Sequence, residues 1–321
     1  MKMKRVPCIG LCVAALAAAP GAFPQDYPAR PVHVVVPYAP GGAVDLTARM
    51  MQQRLSEALG QPFVVENKPG AAGHVGAEAV SRAVPDGYTL LYTVGAELAM
   101  RQSRPGSIDP LRHLTPIAST VASVSCIAVR AGLPVASIGE LIGYARRNPG
   151  KLTYGTAGIA STQHLTGEHM KRYGVDMVHV PFKGVAPAMT ALVSGEIDVS
   201  VTNLATALPQ VRQGKIKLLA VTQARRFEGA REIPAIDEAL PGFDMPVAWY
   251  GFFGPPNLPR PVVAKLAAAI GKSLGAQELR QKIAEGAMSV VFTGPDAFPA
   301  FIRDTASAYG RVIDAAGVRL D

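Results

Sequence analysis

Short β-branched runs that break on glycine or proline and give way to helical spacing recur along this chain, and that alternation leaves few folds open. Val32 to Pro37 is the first such run. After it Ala48, Met51, Leu55 and Leu59 fall on one helical face, and Gly60 stops the helix. Phe63 to Glu66 and Tyr88 to Val94 read as the next strands, with a helix from about Gly76 through Ala83 between them. Past Cys126 the pattern resumes. Ser137 caps a helix over Ile138–Arg147, and strands at Leu152–Gly155, Met177–Pro181, Ile197–Val201 and Ile216–Thr222 alternate with helices at Thr162–Tyr173, Pro187–Ser194 and Leu204–Gln213. Strands alternating with helices of about 10–15 residues predict parallel sheets with helices on both faces. The C-terminal part differs: an apolar strand at Trp249–Phe253 precedes helices at Pro261–Leu274, Gln277–Glu285, Pro295–Thr305 and Ala306–Ala315. One sheet could hardly hold all of this, so two lobes are expected, with the late helices packed on the first.

The first residues bear on the compartment. Lys2, Lys4 and Arg5 precede an apolar stretch from Val6 to Ala19, and small residues follow to Ala22. A basic head, an apolar middle and a small-residue exit make a secretory signal peptide over residues 1–22. The apolar run is short of the ~20 residues that span a bilayer. Cys8 and Cys12 come too early for a lipid attachment site and leave with the peptide. Cys126 then stands alone, and a single thiol makes no internal disulfide, so the core must hold the fold. The formal net charge is +8, with basic residues scattered rather than clustered. A nucleic-acid partner, which would want a basic face with aromatic platforms, is not expected.

Chemistry, if any, sits in strand-to-helix loops. The first runs from Val36 through Gly41-Gly42 to Asp45, where a helix begins near Ala43. A helix's first-turn amides and its positive dipole end make an anion site, and glycine lets a ligand approach the backbone. Asp45 alternatively satisfies those amides itself. The second loop, Tyr154 to His164, offers Thr156 as a hydroxyl donor and Ser161 or Thr162 as a helix cap. The third, Pro181 to Pro187, carries Lys183, placed to pair with a carboxylate or to sit in solvent; Thr202-Asn203 closes another strand of the same lobe. Two anion-type loops in different halves predict a cleft with helix starts on both sides. Catalytic constellations are poor. No G-x-S-x-G elbow, P-loop or dinucleotide fingerprint is present, and the six histidines show no metal-ligand spacing, so neither cofactor nor metal is expected.

At these loops the chain closely resembles the Bug family of periplasmic binding proteins, the substrate-binding components of tripartite tricarboxylate transporters. The resemblance runs through VVVPYAPGGAVD (34–45), LGQPFVVENKPGAAGHVGAEAV (59–80), PDGYTLL (85–91), YGTAGIASTQHL (154–165), HVPFKGVAPA (179–188), GEIDV (195–199) and WYGFFGPPNLP (249–259). It implies a type II periplasmic-binding α/β fold, two α/β lobes with crossing strands and a ligand cleft between them. Lobe 1 would be residues 23–125 plus 247–321, and lobe 2 residues 126–246. The family's first two loops hold a carboxylate between backbone amides and hydroxyls. Carried onto this chain, that implies Ala39, Gly41, Gly42, Ala43, Asp45, Thr156, Ala157, Gly158 and Ser161, with Lys183 and Gly184 at the third loop; Thr202 joins them from the reading of its strand end. The chain departs from the pattern at Ala43, where a hydroxyl residue is common, at Ala160, which replaces a glycine, and over 96–113, which is short. The expected protein is a monomeric, non-enzymatic periplasmic receptor for a small organic acid, delivering it to membrane transporter subunits or a sensor. A periplasmic enzyme on the same scaffold is the alternative.

Overall fold

The computed structural model describes residues 27–101 and 106–317, so the expected signal peptide and part of the short 96–113 segment lie outside the described residues. The chain runs β1 (Val32–Val36), α1 (Ala43–Leu59), β2 (Phe63–Asn67), a 3-10 turn (Ala71–Gly73) into α2 (His74–Ser81), β3 (Thr89–Val94), α3 (Gly95–Arg101) and β4 (Thr115–Ser123). It then forms β5 (Ser125–Arg130), α4 (Ile138–Arg147), β6 (Thr153–Thr156), α5 (Thr162–Lys171), β7 (Val178–Pro181), α6 (Val185–Ser194), β8 (Val199–Asn203), α7 (Leu204–Arg212) and β9 (Ile216–Val221). The return leg is β10 (Ala248–Gly254), α8 (Arg260–Gly275), α9 (Gln277–Glu285), β11 (Met288–Val290) and α10 (Phe298–Ala316).

Two sheets result. One has the order β11-β4-β10-β3-β1-β2 and the other β7-β6-β8-β5-β9. They are mixed rather than parallel, which corrects the expectation from strand–helix alternation. β1 pairs in parallel with β2 and β3, as β6 does with β7 and β8. β10, however, runs antiparallel to both β3 and β4, and β5 antiparallel to both β8 and β9. The reason is topological: β4 passes directly into β5 through Val124, and the chain re-enters the first sheet only at β10. Each crossing segment therefore joins its sheet against the local strand direction. The two late helices expected at Pro295–Thr305 and Ala306–Ala315 are one helix, because nothing between Thr305 and Ala306 breaks helical spacing.

The core is laid down by what the period of each element permits. In α1, Ala48, Met51 and Leu55 are buried on one stripe, and Gly60 closes the helix in the left-handed conformation at φ 70°. On β10, Trp249 packs against Phe298 and Phe301 of α10, and its Nε1–H donates to Thr305 Oγ1 at 2.9 Å. Its ring lies over Gly95, where a Cβ would come within 1.9 Å of Trp249 Cζ3. Only glycine lets α3 start there, and from that start α3 packs on α10 and β10. α10 packs on both α3 and α5 and so straddles the two lobes.

Candidate functional site

Three strand ends bring the loops together. The first loop follows β1, the second β6 and the third β7, all at the carboxyl ends of parallel strands, where open α/β sheets offer their crevice. The Ala39 amide donates to the Lys183 carbonyl at 3.2 Å, joining the first loop to the third across the lobes. Gly184, at φ 133°, has Ala39 N 3.4 Å from where its Cβ would be. A Cβ on Gly42 would stand 3.2 Å from Val185 Cγ2. The starts of α1 and α6, one from each sheet, thus abut. Gly158, at φ 127°, lies against Phe182 O and Ala72 N, so the second loop faces the 3-10 turn of the first lobe.

What the predicted residues do is mostly local. Asp45 is 2 % exposed, and its two oxygens accept from Gly41 N, from Arg49 Nε and Nη2, and from Asn67 Nδ2 at 2.9–3.1 Å. Burial alone would raise this carboxyl, but those donors together hold it below the usual carboxylate value. Asp45 therefore pins the glycine turn to β2. Ser161 Oγ donates to the Gly158 carbonyl and accepts from His164 N, capping α5. The Thr156 hydroxyl accepts from Gly158 N at 3.1 Å and pairs with His179 Nε2 at 2.6 Å. Lys183 is exposed, and its side chain forms no ion pair among the described residues. Thr202 is fully buried opposite Cys126, on the sheet face packed by Met189, Leu192 and Leu204, and its hydroxyl has no partner there.

The amides tell more. Gly42 caps α1 in extended geometry with no side-chain hydrogen bond, and the first intrahelical bond is Leu46 N to Gly42 O. Among the described residues no acceptor meets the amides of Ala43, Val44 and Asp45, although Ala43 is fully buried and Val44 7 % exposed. The amides of Val185 and Ala186, opposite, are likewise unmet. Buried amides without acceptors are costly unless something supplies one. Ala43 brings no hydroxyl to this turn but keeps its amide. Ala157 and Gly158 of the second loop are buried, and Ala157 N meets no acceptor among the described residues.

The start of α5 is different, because it is occupied. Glu97 of α3 is 1 % exposed; its Oε1 accepts from Thr162 N at 3.2 Å and its Oε2 from the Tyr38 hydroxyl at 2.7 Å. A carboxylate from one lobe thus sits on a helix start of the other. Its charge adds to burial in raising the phenols of Tyr250 and Tyr309. Sequence reasoning passed over Glu97 and Tyr38. The available signal for Glu97 was a single acid inside the apolar stretch Ala96, Leu98, Ala99 and Met100.

Behind the second loop, His164 and His179 stack at 4.1 Å between ring centroids. Tyr154 donates to Glu168 Oε1 at 2.8 Å, and Lys171 pairs with Glu168 Oε2 at 2.8 Å. Burial first, then the neighbouring His164, pushes His179 down to about 4. No group of three or more potential metal ligands occurs among the described residues, and no helix among them is long and apolar enough to cross a membrane.

The chain is similar to known proteins in both sequence and fold. The family described as the tripartite tricarboxylate transporter family receptor matches residues 47–318. The periplasmic binding protein BugD has 32 % sequence identity and a TM-score of 0.85, covering 91 % of this chain and 99 % of its own. An R. palustris protein solved with adipate has 32 % identity and a TM-score of 0.87, covering 91 % of this chain and 99 % of its own. MatC from Rhodopseudomonas palustris, solved with bound malate, has 31 % identity and a TM-score of 0.82, covering 89 % and 100 %.

Proposed function

This chain belongs to the tripartite tricarboxylate transporter family of receptors, and we propose that it captures a small carboxylate in the periplasm and delivers it, unchanged, to membrane transporter subunits. The observation that carries this reading is the set of unmet amides at Ala43, Val44, Asp45, Val185 and Ala186, contributed by both lobes at one junction. Two helix starts pointing at one place favour negative charge, and backbone amides select an oxyanion without supplying an acid, base or nucleophile. The two relatives solved with adipate and malate hold carboxylic acids, which supports the same class here.

The proposed ligand contacts are the amides of Gly42, Ala43, Val44, Ala157, Val185 and Ala186. In this reading Ala39, Gly41, Asp45, Thr156, Gly158, Ser161 and Gly184 shape the three loops, and Lys183 sits at the rim. Closure follows because the ligand touches both lobes, and a ligand shifts a conformational equilibrium only through such differential contacts. The test is mass spectrometry of small molecules released on denaturing the purified protein, followed by calorimetric titration of the acid found. Recovery of an intact organic acid that rebinds supports the receptor; conversion of that acid during incubation would replace it with an enzyme.

A further inference from the structure

Glu97 gives the site an asymmetry. Of the helix starts at the loop junction, those of α1 and α6 keep unmet amides, whereas α5 already carries a carboxylate. Thr162 N donates to Glu97 Oε1, and His164 N and Leu165 N are taken by Ser161, through its side chain and its carbonyl, which leaves Gln163 N as the one first-turn amide of α5 without an acceptor among the described residues. The Tyr38 hydroxyl, from the first loop, holds the other Glu97 oxygen at 2.7 Å. The Trp249 ring over Gly95 fixes where α3 begins, two residues before Glu97. The acid is thus built in, 1 % exposed, and bonded across the lobes.

We propose that Glu97 acts as a tethered stand-in for a ligand carboxylate at the start of α5, so that the cleft takes acids with one carboxylate and an uncharged remainder and disfavours dicarboxylates. This deepens the receptor reading above and rests on it for the ligand class. A second ligand carboxylate reaching α5 would find the Thr162 amide already taken and the Glu97 carboxylate beside it, and two carboxylates sharing one place disfavour ionisation of both. A first carboxylate at α1 and α6 meets only donors. Glu97 is a specificity residue in this scheme, and by joining α3 to α5 it also ties the lobes together in the absence of ligand.

The experiment has two arms. In the first, Glu97→Ala removes the equivalent of acetate, and thermal unfolding is followed with sodium acetate against sodium chloride of equal ionic strength. Acetate should raise the variant's midpoint at least about 2 °C more than it raises the wild type's. Glu97→Gln, which fills the same space, should show no such gain. In the second arm, calorimetric titrations compare butyrate with succinate and hexanoate with adipate. The wild type should prefer the monoacid of each pair, and Glu97→Ala should move the ratio at least about tenfold toward the diacid. If Glu97→Ala fails to fold, Glu97→Gln carries this arm, with the same direction expected from loss of the charge. Equal acetate gains in wild type and Glu97→Ala, or tighter diacid binding by the wild type, overturn the role of Glu97 while leaving a carboxylate receptor intact. A wild type that binds none of the four acids overturns the ligand class assigned here, while the carboxylate reading is decided separately by the acid released from the purified protein.

Discussion

Ala160 stands at φ 60°, in the left-handed region, between the buried Gly158 and the capping Ser161. Its amide donates to His164 Nδ1 at 3.2 Å, so the turn is held despite the strain on its Cβ. An alanine there costs roughly 1–2 kcal/mol relative to right-handed backbone, while glycine would lose somewhat more entropy on folding. Ala160→Gly should therefore stabilise the protein by about 0.5–1 kcal/mol, read as a higher urea midpoint at unchanged slope. Asp45 shows the opposite economy. Four donors saturate its oxygens, which is why a residue matching a ligand-loop motif serves the loop's shape. Its place four residues before Arg49 was legible as a helix pair, but its bond to Asn67 of β2 was not, since that contact depends on β1 and β2 lying side by side.

At the level of elements, the helix starts divide by how their first amides are met. α4 and α5 are capped by Ser137 and Ser161; the first was readable from the sequence, and at the second the sequence left Ser161 and Thr162 both open. α1 and α6 begin on glycines with no side-chain cap, and that gap makes them receptive. Under the second loop lies the stacked pair of His164 and His179, faced by Tyr154 from β6 and by Glu168 and Lys171 from α5. The fold holds His179 neutral: burial and then His164 lower it from 6.5 to about 4, with Glu168 opposing. Its folded value being depressed, the unfolded chain binds the extra proton between those values. Stability from this group is complete above 6.5 and is lost as pH falls toward 4. His179→Gln should flatten that part of the stability profile, measured by urea unfolding at a series of pH values from neutral to acid. An unchanged slope would mean the proton is taken up elsewhere. The pair itself was invisible in sequence, because His164 and His179 are on α5 and β7 and meet only when β6 pairs with β7.

For the whole molecule, the question is what couples two sheets that share a chain crossing at Val124 and a return at β10. Among the described residues, contacts that do so include Ala39 N to Lys183 O, Glu97 to Thr162 N, Asn203 Nδ2 donating to Ser123 Oγ at 2.6 Å, and α10 lying on both α3 and α5. A hydrogen bond to a charged group contributes about 1.5–3 kcal/mol when buried and a neutral one about 1, so the Glu97 contact outweighs the Ala39 contact in holding the lobes. A ligand bridging α1 and α6 adds to both. At a hundred times its dissociation constant it should raise the unfolding free energy by about 2.7 kcal/mol. Gly158→Val places a β-branched side chain at φ 127° against Phe182 O and Ala72 N, and should weaken ligand affinity at least about tenfold by holding the second loop off the first lobe. Titration calorimetry checks the affinity, and an intact wild-type affinity in that variant would show that the second loop need not approach.

The local layer of this protein was written in its residues one element at a time. Periodicity marked α1, glycine at 60 and 195 ended helices in left-handed geometry, and Ser137 marked the cap of α4, because each depends on backbone sterics within a turn or two. Motif order likewise pointed to the three loops. What the tertiary structure alone decided was partnership. β10 entering against β3 and β4, Trp249 covering Gly95, and Glu97 reaching α5 from the other sheet join residues far apart in sequence. No local preference encodes such meetings; they exist only once the two lobes have packed together, and the same packing leaves the first-turn amides of α1 and α6 without acceptors while the Thr162 amide of α5 finds Glu97.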